Sequence, residues 1–443
     1  MKKGVIWAIA GIISMYGVGL GLTMQIDKVE EKEEVVQDYA EIPQTEEEVL
    51  TVWYWDTALK DAFAVFAEQY PGIELEYVHI PNFEYAEQFR SVLITGGENL
   101  PDICMLQDKF AGDFLSMDIW ENLEKEPYEL DTAVFSDSMQ PYMKDRNGNI
   151  VAVPYNLAAS GLAYRESMMQ DVFGLRTPQE VEMAFPDWNS LICAGEEYKN
   201  ASQEQFYLFS SLGDVATVLF NQTDEPYVVD GRLQEPERFL HYFKILHSLY
   251  DKGLVDDITQ CSNQWYDEFE NGRFLFSPWS MWLNQNKTFS RNEEEDWRLT
   301  VPPGGSYKWG GVVCAIPQGS RHKEAAWELI RFLTMSEESA RFGKETENSF
   351  FLCSSEKYAT EEYKSMKLKG FGTFDVGDFY FERLMRDAYQ RQLSPYDSFI
   401  DVAYHTAVKA IPQDETARPE SSYQYFVERL SESLPELEIP SLE

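Results

Sequence analysis

Two tryptophans and two glutamates supply the most distinctive chemistry of this 443-residue chain. Trp279 and Trp282 lie within one helical turn of each other in "FSPWSMWLN". An indole offers a flat, polarisable, apolar surface to a ligand without demanding a charge, although core packing is the alternative for both. Glu268 and Glu270 resemble the carboxylate pairs of glycoside hydrolysis. In a chain with 76 acidic residues such pairs arise by chance, so we favour a solvated helix face.

The motifs of metal and nucleotide chemistry are absent from the sequence. The five histidines are not spaced as in H-E-x-x-H, and no Cys-x-x-Cys occurs, so a zinc site is not expected. G-x-x-x-x-G-K-[ST] and G-x-S-x-G are also missing. "GVGLGL" has the glycines of a dinucleotide loop but lies inside an apolar N-terminal segment. We therefore expect no cofactor, no metal and no enzyme activity.

The net charge limits the ligands and partners that the chain could bind. With 37 basic and 76 acidic residues, the net charge of −39 repels nucleic acid and anionic lipid, so a neutral or cationic ligand fits better.

Five cysteines cannot all pair with one another. Cys104 and Cys314 lie in apolar, strand-like runs where a free thiol behaves as a small hydrophobe. We expect no disulfide framework, while one bridge stays open.

The N-terminus reads as an export signal over residues 1–25, with two lysines before the apolar stretch and acids after it. The stretch exceeds the roughly 7–15 apolar residues of a cleavable signal and approaches the roughly 20 that span a bilayer. No A-x-A site is clear, so an uncleaved anchor is favoured over a cleaved signal peptide, and a buried helix is least favoured. The charges place the rest of the chain outside the cell, anchored or secreted. Residues 26–48 form an acidic spacer.

Beyond the spacer, the hydrophobic patterns alternate between strand and helix, and folding is expected to start near Val49. Strand patterns occur in "VLTVWYW", "IELEYVHI" and "LPDICML". The helical pattern of "ALKDAFAVFAEQ" ends at Pro71-Gly72. In "KDRNGNIVAVPYN", Asn147-Gly148 suits a hairpin turn. Strand, helix, strand, helix, strand is typical of a parallel sheet with covering helices, so the fold class is α/β.

Five segments, in order, resemble the extracellular solute-binding proteins of ABC importers, and specifically the carbohydrate-binding family (family 1) that includes maltose-binding protein. They span roughly residues 50 to 335 and are "LTVWYWD…FAVFAEQYPGIELEYV", "LPDICMLQDKFAGDFLSMDIWENL", "DRNGNIVAVPYNLAASGLAYRESMM", "NGRFLFSPWSMW" and "GGVVCAIPQGSRHKEAAWELIRFLT". Each segment alone is a weak signal, but five in this order and spacing make a specific match.

The resemblance implies a two-lobed periplasmic-binding-protein-like fold, in which each lobe is a mainly parallel sheet flanked by helices and ligand lies in the cleft between lobes. The chain is expected to cross between lobes near "VPYNLAASG" and again near "LTVPPGG". Lobe 1 then comprises residues 49–157 with 304–352, and lobe 2 comprises residues 158–303 with 353–443.

The resemblance also implies which residues contact the ligand. The segment that matches "NGRFLFSPWSMW" brings an aromatic side chain into the cleft to stack on a sugar ring, and Trp279 is preferred over Trp282. The segment "LQDKF" matches one whose acid and base bind sugar hydroxyls, which indicates Asp108 and Lys109. Gln107 stands directly before them, where the maltose-binding segment has an aromatic residue nearby, so the sugar preference need not carry over.

Further candidates come from the ends of strands. Trp55 and Asp56 follow the first strand, and ligands lie at the carboxyl ends of parallel strands. Tyr155 and Asn156 lie at the first crossing. Trp309, before two glycines, would close the site from the opposite side. Surface or hinge packing is the alternative for each of these five.

The function implied is that of a monomeric protein that binds a mono- or oligosaccharide reversibly and delivers it to ABC permease subunits, with no role in nucleic-acid binding. The same fold serving a non-sugar solute or a membrane receptor is one alternative. A glycoside-acting enzyme is a weaker one, because it needs two carboxylates about 5–10 Å apart across the sugar. The chain departs from the family in lacking a lipid-carrying cysteine after the apolar stretch, so tethering would depend on that stretch.

Overall fold

The structure, a computed structural model, describes residues 48–55, 59–97, 99–135, 137–202, 207–272, 274–285, 288–291, 295–339, 341, 364–389 and 391–442. The predicted export segment, the spacer up to residue 47 and Asp56 lie outside these ranges. Within them, no helix is both long and apolar enough to cross a bilayer.

One mixed sheet runs through the molecule. In chain order the strands are β1 (Glu48–Tyr54), β2 (Ile73–His79), β3 (Ile103–Gln107), β4 (Ala152–Arg165), β5 (Tyr207–Phe209), β6 (Val228–Val229), β7 (Arg232–Leu233), β8 (Phe274–Ser280), β9 (Trp297–Thr300) and β10 (Tyr307–Ala315). Strands β6 and β7 form a separate hairpin, and the others belong to the mixed sheet. The order is β2-β1-β3-β10-β4-β8-β5, with β9 also paired to β4. Parallel pairs join β1 to β2 and β3, and β5 to β8, whereas β4 and β10 pair antiparallel to their neighbours. Parallel pairing is thus a property of the outer strands.

Helices cover both faces of the sheet. In the described ranges the α-helices are α1 (Leu59–Gln69), α2 (Asn82–Ile94), α3 (Asp108–Leu115), α4 (Glu166–Phe173), α5 (Pro178–Ala184), α6 (Trp188–Ser202), α7 (Leu212–Asn221), α8 (Pro236–Asp251), α9 (Asn263–Asn271), α10 (Trp282–Gln285), α11 (Lys323–Met335), α12 (Val376–Phe379), α13 (Asp397–Ala410) and α14 (Pro419–Ser433). Helix α1 buries Leu59, Ala62, Phe63 and Phe66, the face that its spacing predicts. The predicted strand and helix alternation up to β3 is confirmed.

Strands β4 and β10 connect the two halves of the sheet. The first half of β4 pairs with β10, and its second half pairs with β8 and β9. The pairing of β10 with β4 is interrupted by a bulge between Lys308 and Gly311. Gly310 and Gly311 have φ angles of 87° and 138° there, which glycine adopts without strain. The bulge follows the predicted second crossing near "LTVPPGG" by a few residues.

Three hydrophobic clusters form the core. The first contains Val52 and Ile103 and reaches across the sheet to Trp297 of β9, and the second contains Leu106. The third lies around β5, α8 and α14 and contains Phe209, Phe243 and Phe426. The lobe boundaries at 157/158 and 303/304 stay a prediction, and the boundary at 352/353 lies outside the described residues.

Two smaller predictions concern a turn and the cysteines. The predicted hairpin after Lys144 is reduced to a turn with a single bridge to Ile150. Four cysteines are free, with Cys104 and Cys314 buried as predicted and Cys193 and Cys261 exposed. Cys353 lies outside the described residues.

Candidate ligand-binding site

A cavity of about 1200 Å³ lies between the two halves of the sheet. Aromatic rings, amides and charged groups all contribute to its wall. Its lining includes Tyr54, Trp55, Asn82, Gln107, Asp108, Lys109, Tyr142, Asn156, Phe220, Tyr250, Gln260, Tyr266, Trp282, Trp309, Arg391, Asp397, Asp401, His405 and Lys409. Seven of the ten residues predicted to bind ligand belong to this lining.

Two of these indoles form a corner. The rings of Trp282 and Trp309 meet edge to face, with centroids 4.9 Å apart and planes at 73°. The Nε1 of Trp282 donates to the Trp309 carbonyl oxygen at 3.0 Å, and the Ser280 hydroxyl donates to the same oxygen at 2.9 Å. Both tryptophans are half-buried, so each still presents part of its ring to the cavity. The corner offers a ligand two flat apolar surfaces at a steep angle.

Polar groups of β3 and β4, the two strands on either side of β10, reach the same cavity. Gln107 of β3 and Asn156 of β4 both lie opposite Val312 of β10. Cross-strand partners project from the same face of a sheet, which brings the two amides to one side. The Oδ1 atom of Asn156 is buried and has no hydrogen-bond partner among the residues that the structure describes. A buried acceptor without a partner is costly, and a ligand hydroxyl would satisfy it.

Asp108 begins α3 beside these amides, and its carboxylate is half-buried. Loss of hydration raises its pKa to about 6, and the charge of Asp401 adds to the rise. The backbone N–H groups of Lys109 and Gly310 and the Lys109 charge act in the opposite direction. The bond from Gly310 ties this carboxylate to the bulge of β10.

Trp55 also lines the cavity, beyond the end of β1. Its ring packs on Tyr85 edge to face, with centroids 5.2 Å apart and planes at 81°. His79 Nε2 lies 3.0 Å from the Trp55 carbonyl oxygen, which fixes the backbone there. The position agrees with the rule that ligand sites lie beyond the carboxyl ends of parallel strands.

Two predicted contacts lie elsewhere. Trp279 is fully buried in β8, with its ring edge to face with Phe371 and Tyr380, and it does not line the cavity. Its partner across the ladder is Gly161, where a Cβ would lie 2.9 Å from both the Leu384 side chain and the Thr300 carbonyl oxygen. Tyr155 is also buried and outside the lining, because strand alternation points its neighbour Asn156 to the cavity instead. The sequence-based preference for Trp279 over Trp282 does not fit this geometry.

Several lining residues were missed by sequence reasoning. Residues 256–261 follow one another along the wall, but "DDITQC" has no periodicity that would mark it. Arg391 is nearly buried, with Nη1 2.6 Å from Asp397 Oδ2 and its guanidinium 4.4 Å from the centre of the Tyr227 ring. Loss of hydration lowers the pKa of Arg391, but the charge of Asp397 acts in the opposite direction, and the pKa is raised overall. The one available signal was a lone arginine beside the Pro-marked turn "RQLSPYD".

The structure also bears on catalysis and metal binding. Glu268 and Glu270 both lie on α9, and neither lines the cavity. In the described ranges no group of three or more His, Cys, Asp or Glu is arranged to hold a metal ion.

Comparison with solved structures establishes the fold. An extracellular solute-binding protein of family 1 has a TM-score of 0.78 at 19% identity, covering 87% of this chain and 100% of its own. The galacto-N-biose/lacto-N-biose I-binding protein of Bifidobacterium longum has a TM-score of 0.71 at 12% identity, covering 90% and 100%. The sugar-binding protein MalE of Xanthomonas citri has a TM-score of 0.69 at 17% identity, covering 88% and 98%. The predicted two-lobed periplasmic-binding-protein-like fold is confirmed.

Sequence comparison gives the family. A search of curated proteins found no match. The family model for bacterial extracellular solute-binding proteins, however, matches residues 58–349, which is more than half of the chain. The protein belongs to the bacterial extracellular solute-binding proteins.

Proposed function

We propose that the protein binds a carbohydrate reversibly in the cavity between its lobes. The observation that carries this proposal is the corner of Trp282 and Trp309 beside the amides Gln107 and Asn156. A sugar ring presents C–H groups on one face and hydroxyls around its rim. The indoles suit the first and the amides and carboxylates suit the second, without any need for a charged ligand.

The size of the cavity favours an oligosaccharide. Sites for small ligands are typically about 300–1,000 Å³, and this cavity, at about 1200 Å³, lies above that range. Trp55 stands at the end of β1 and the Trp282–Trp309 corner at the crossing strand, so aromatic surfaces serve more than one position along the cavity. Several solved neighbours were described with sugars, among them lacto-N-biose, β-1,6-galactobiose and the monosaccharide α-D-tagatose.

The partners and location follow from the same proposal. The protein acts as a monomer on the outer face of the cell membrane, held there by residues 1–25 or secreted, and delivers its ligand to ABC permease subunits. Lobe 1 comprises 49–157 with 304–352, and lobe 2 comprises 158–303 with 353–443. The pairing of one half of β4 with β10 and of the other half with β8 and β9 supports the first boundary. Binding occurs without turnover.

Thermal unfolding of the full chain tests the ligand class. The chain is heated with millimolar monosaccharides, oligosaccharides, amino acids, peptides or polyamines. A ligand at about 100 times its dissociation constant adds about 2.7 kcal/mol to the free energy of unfolding, a shift of a few degrees. Stabilisation by sugars alone supports the proposal, whereas stabilisation only by amines or peptides refutes it. Release of shorter products from a bound oligosaccharide would contradict binding without turnover.

A matched pair of variants tests the site. Trp282→Leu keeps an apolar side chain but removes the flat indole surface, and we expect at least a tenfold loss of sugar affinity by calorimetry. Trp327→Leu is the control, because Trp327 lies in α11, packs on Tyr128 and does not line the cavity. The control should lose stability and keep its affinity. Equal affinities in both variants would remove Trp282 from the site.

A further inference from the structure

One continuous segment, residues 256–261, supplies a wall of the cavity. It begins after Val255, which bridges to Phe209 of β5, and ends before α9. All six residues line the cavity, and Cys261 has a φ of 61°. Since the segment belongs to no helix or strand, something other than a hydrogen-bond ladder must hold its shape.

A buried carboxylate lies directly behind this wall. Asp214, in the first turn of α7, is completely buried. Its Oδ1 accepts hydrogen bonds from Gln260 Nε2 and from Trp265 Nε1, both at 3.0 Å, and its Oδ2 accepts from the Ser210 hydroxyl at 2.9 Å. One carboxylate therefore joins the end of β5, helix α7, the wall and the start of α9.

The link to the cavity runs through Gln260. Its Nε2 bonds to Asp214, and its Oε1 accepts from the Thr217 hydroxyl at 3.1 Å. Gln260 and Thr217 both line the cavity, so the amide is fixed at both ends while one face of it stays open to ligand. Burying a carboxyl group costs stability, and loss of hydration raises the pKa of Asp214 to about 7.

We propose that Asp214 is a positioning residue for ligand binding, which holds the 256–261 wall in place through Gln260 and Trp265. This inference rests on the proposed function, since it assigns a role in that same cavity. The wall brings two carboxylates, Asp256 and Asp257, to the ligand as acceptors for hydroxyl groups. Asp214 itself never touches the ligand.

The test compares Asp214→Asn with Asp214→Ala in the full chain. Asn can keep the three side-chain bonds, because its oxygen accepts from Gln260 and Trp265 and its NH₂ donates to the Ser210 hydroxyl. The backbone N–H of Ser211 also donates to the carboxylate in the original chain. Ala removes all of them. Both variants lack the charge, so a difference between them reports the hydrogen bonds. We expect affinity for the stabilising sugar to fall at least tenfold in the Ala variant and to stay within threefold of the original in the Asn variant.

A second readout needs no ligand. Cys261 adjoins Gln260 and is exposed at the wall, so its rate of alkylation by iodoacetamide, followed by mass spectrometry of its peptide, reports the position of the wall. We expect at least fivefold faster alkylation in the Ala variant than in the Asn variant. Trp327→Leu, destabilised at a distance, should leave the rate unchanged.

The two readouts separate this inference from the proposed function. Equal alkylation rates in the Ala and Asn variants overturn the positioning role, whether or not a sugar binds. A faster rate in the Ala variant supports it, even if the panel of ligands shows that the occupant is not a sugar. Equal losses of affinity in both variants overturn it, because the Asn variant would then have failed to rescue binding.

Discussion

The buried carboxyl of Asp214 should leave a clear mark on how stability depends on pH. Loss of hydration raises its pKa from 3.8 to about 7, while the hydrogen bonds from Ser210, Trp265 and Gln260 act in the opposite direction. The folded state therefore binds this proton more tightly than the unfolded state does. By linkage, the contribution of the proton to stability is complete below about pH 4 and is lost as pH rises to about 7.

The magnitude follows from the two pKa values. A difference of one pKa unit corresponds to 1.36 kcal/mol, so the rise from 3.8 to about 7 amounts to about 4 kcal/mol. Asp214→Asn has the same shape and cannot ionise. Relative to the original chain, the Asn variant should thus gain about 4 kcal/mol of unfolding free energy between pH 4 and pH 8.

Urea unfolding at several pH values measures this difference directly. Subtracting the curve of the original chain from that of the variant removes the titration of the other acidic groups. Asp187→Asn serves as the control, because backbone and hydroxyl hydrogen bonds from Ser190 lower the pKa of Asp187. Its difference should therefore stay flat between pH 4 and pH 8 and change, with the opposite sign, only below about pH 4. A flat difference for Asp214→Asn would refute the raised pKa and with it the buried ionisable link behind the wall.

Two further perturbations test the cavity and the close approach of α3 to Ser394. The pKa of Asp108 is raised to about 6, so its side chain becomes a carboxylate, and a hydrogen-bond acceptor only, as pH rises through 6. Sugar affinity measured by calorimetry should increase over the same range, and Asp108→Asn should flatten this dependence. A pH dependence that persists in the variant would assign it to another group. In Gly112→Ala the new Cβ would lie 2.3 Å from the Ser394 carbonyl oxygen, so urea unfolding should show a loss of about 1–3 kcal/mol in the free energy of unfolding. The control, Gly319→Ala, has nothing within 4 Å of its new Cβ and should stay within about 0.5 kcal/mol of the original chain. Equal stability of the two variants would contradict the close approach.

The parts of the fold that depend on local pattern were predictable from the sequence. The residues from β1 to β3 alternate strand and helix signals, and the ends of those strands place Trp55 and Gln107 at the cavity. The general rule about the carboxyl ends of parallel strands therefore located part of the site without knowledge of the fold in detail. The resemblance added the second lobe and the segment that contains Trp282.

The choice between Trp279 and Trp282 depended on contacts far away in the chain. Phe371 and Tyr380 cover the face of β8 that holds Trp279, and they lie about 90 to 100 residues later in the sequence. Without them, both tryptophans appear equally suited to ligand. Trp282 comes just after β8 ends, so the strand-end rule would have favoured it.

The position of β10 in the sheet governs the order of folding. β10 is inserted between β3 and β4, yet about 200 residues separate it from the end of β3. Until β10 has been synthesised, β3 and β4 each keep an unpaired edge, and such long-range pairing slows folding. The sheet can therefore be completed only after most of the polypeptide has been synthesised.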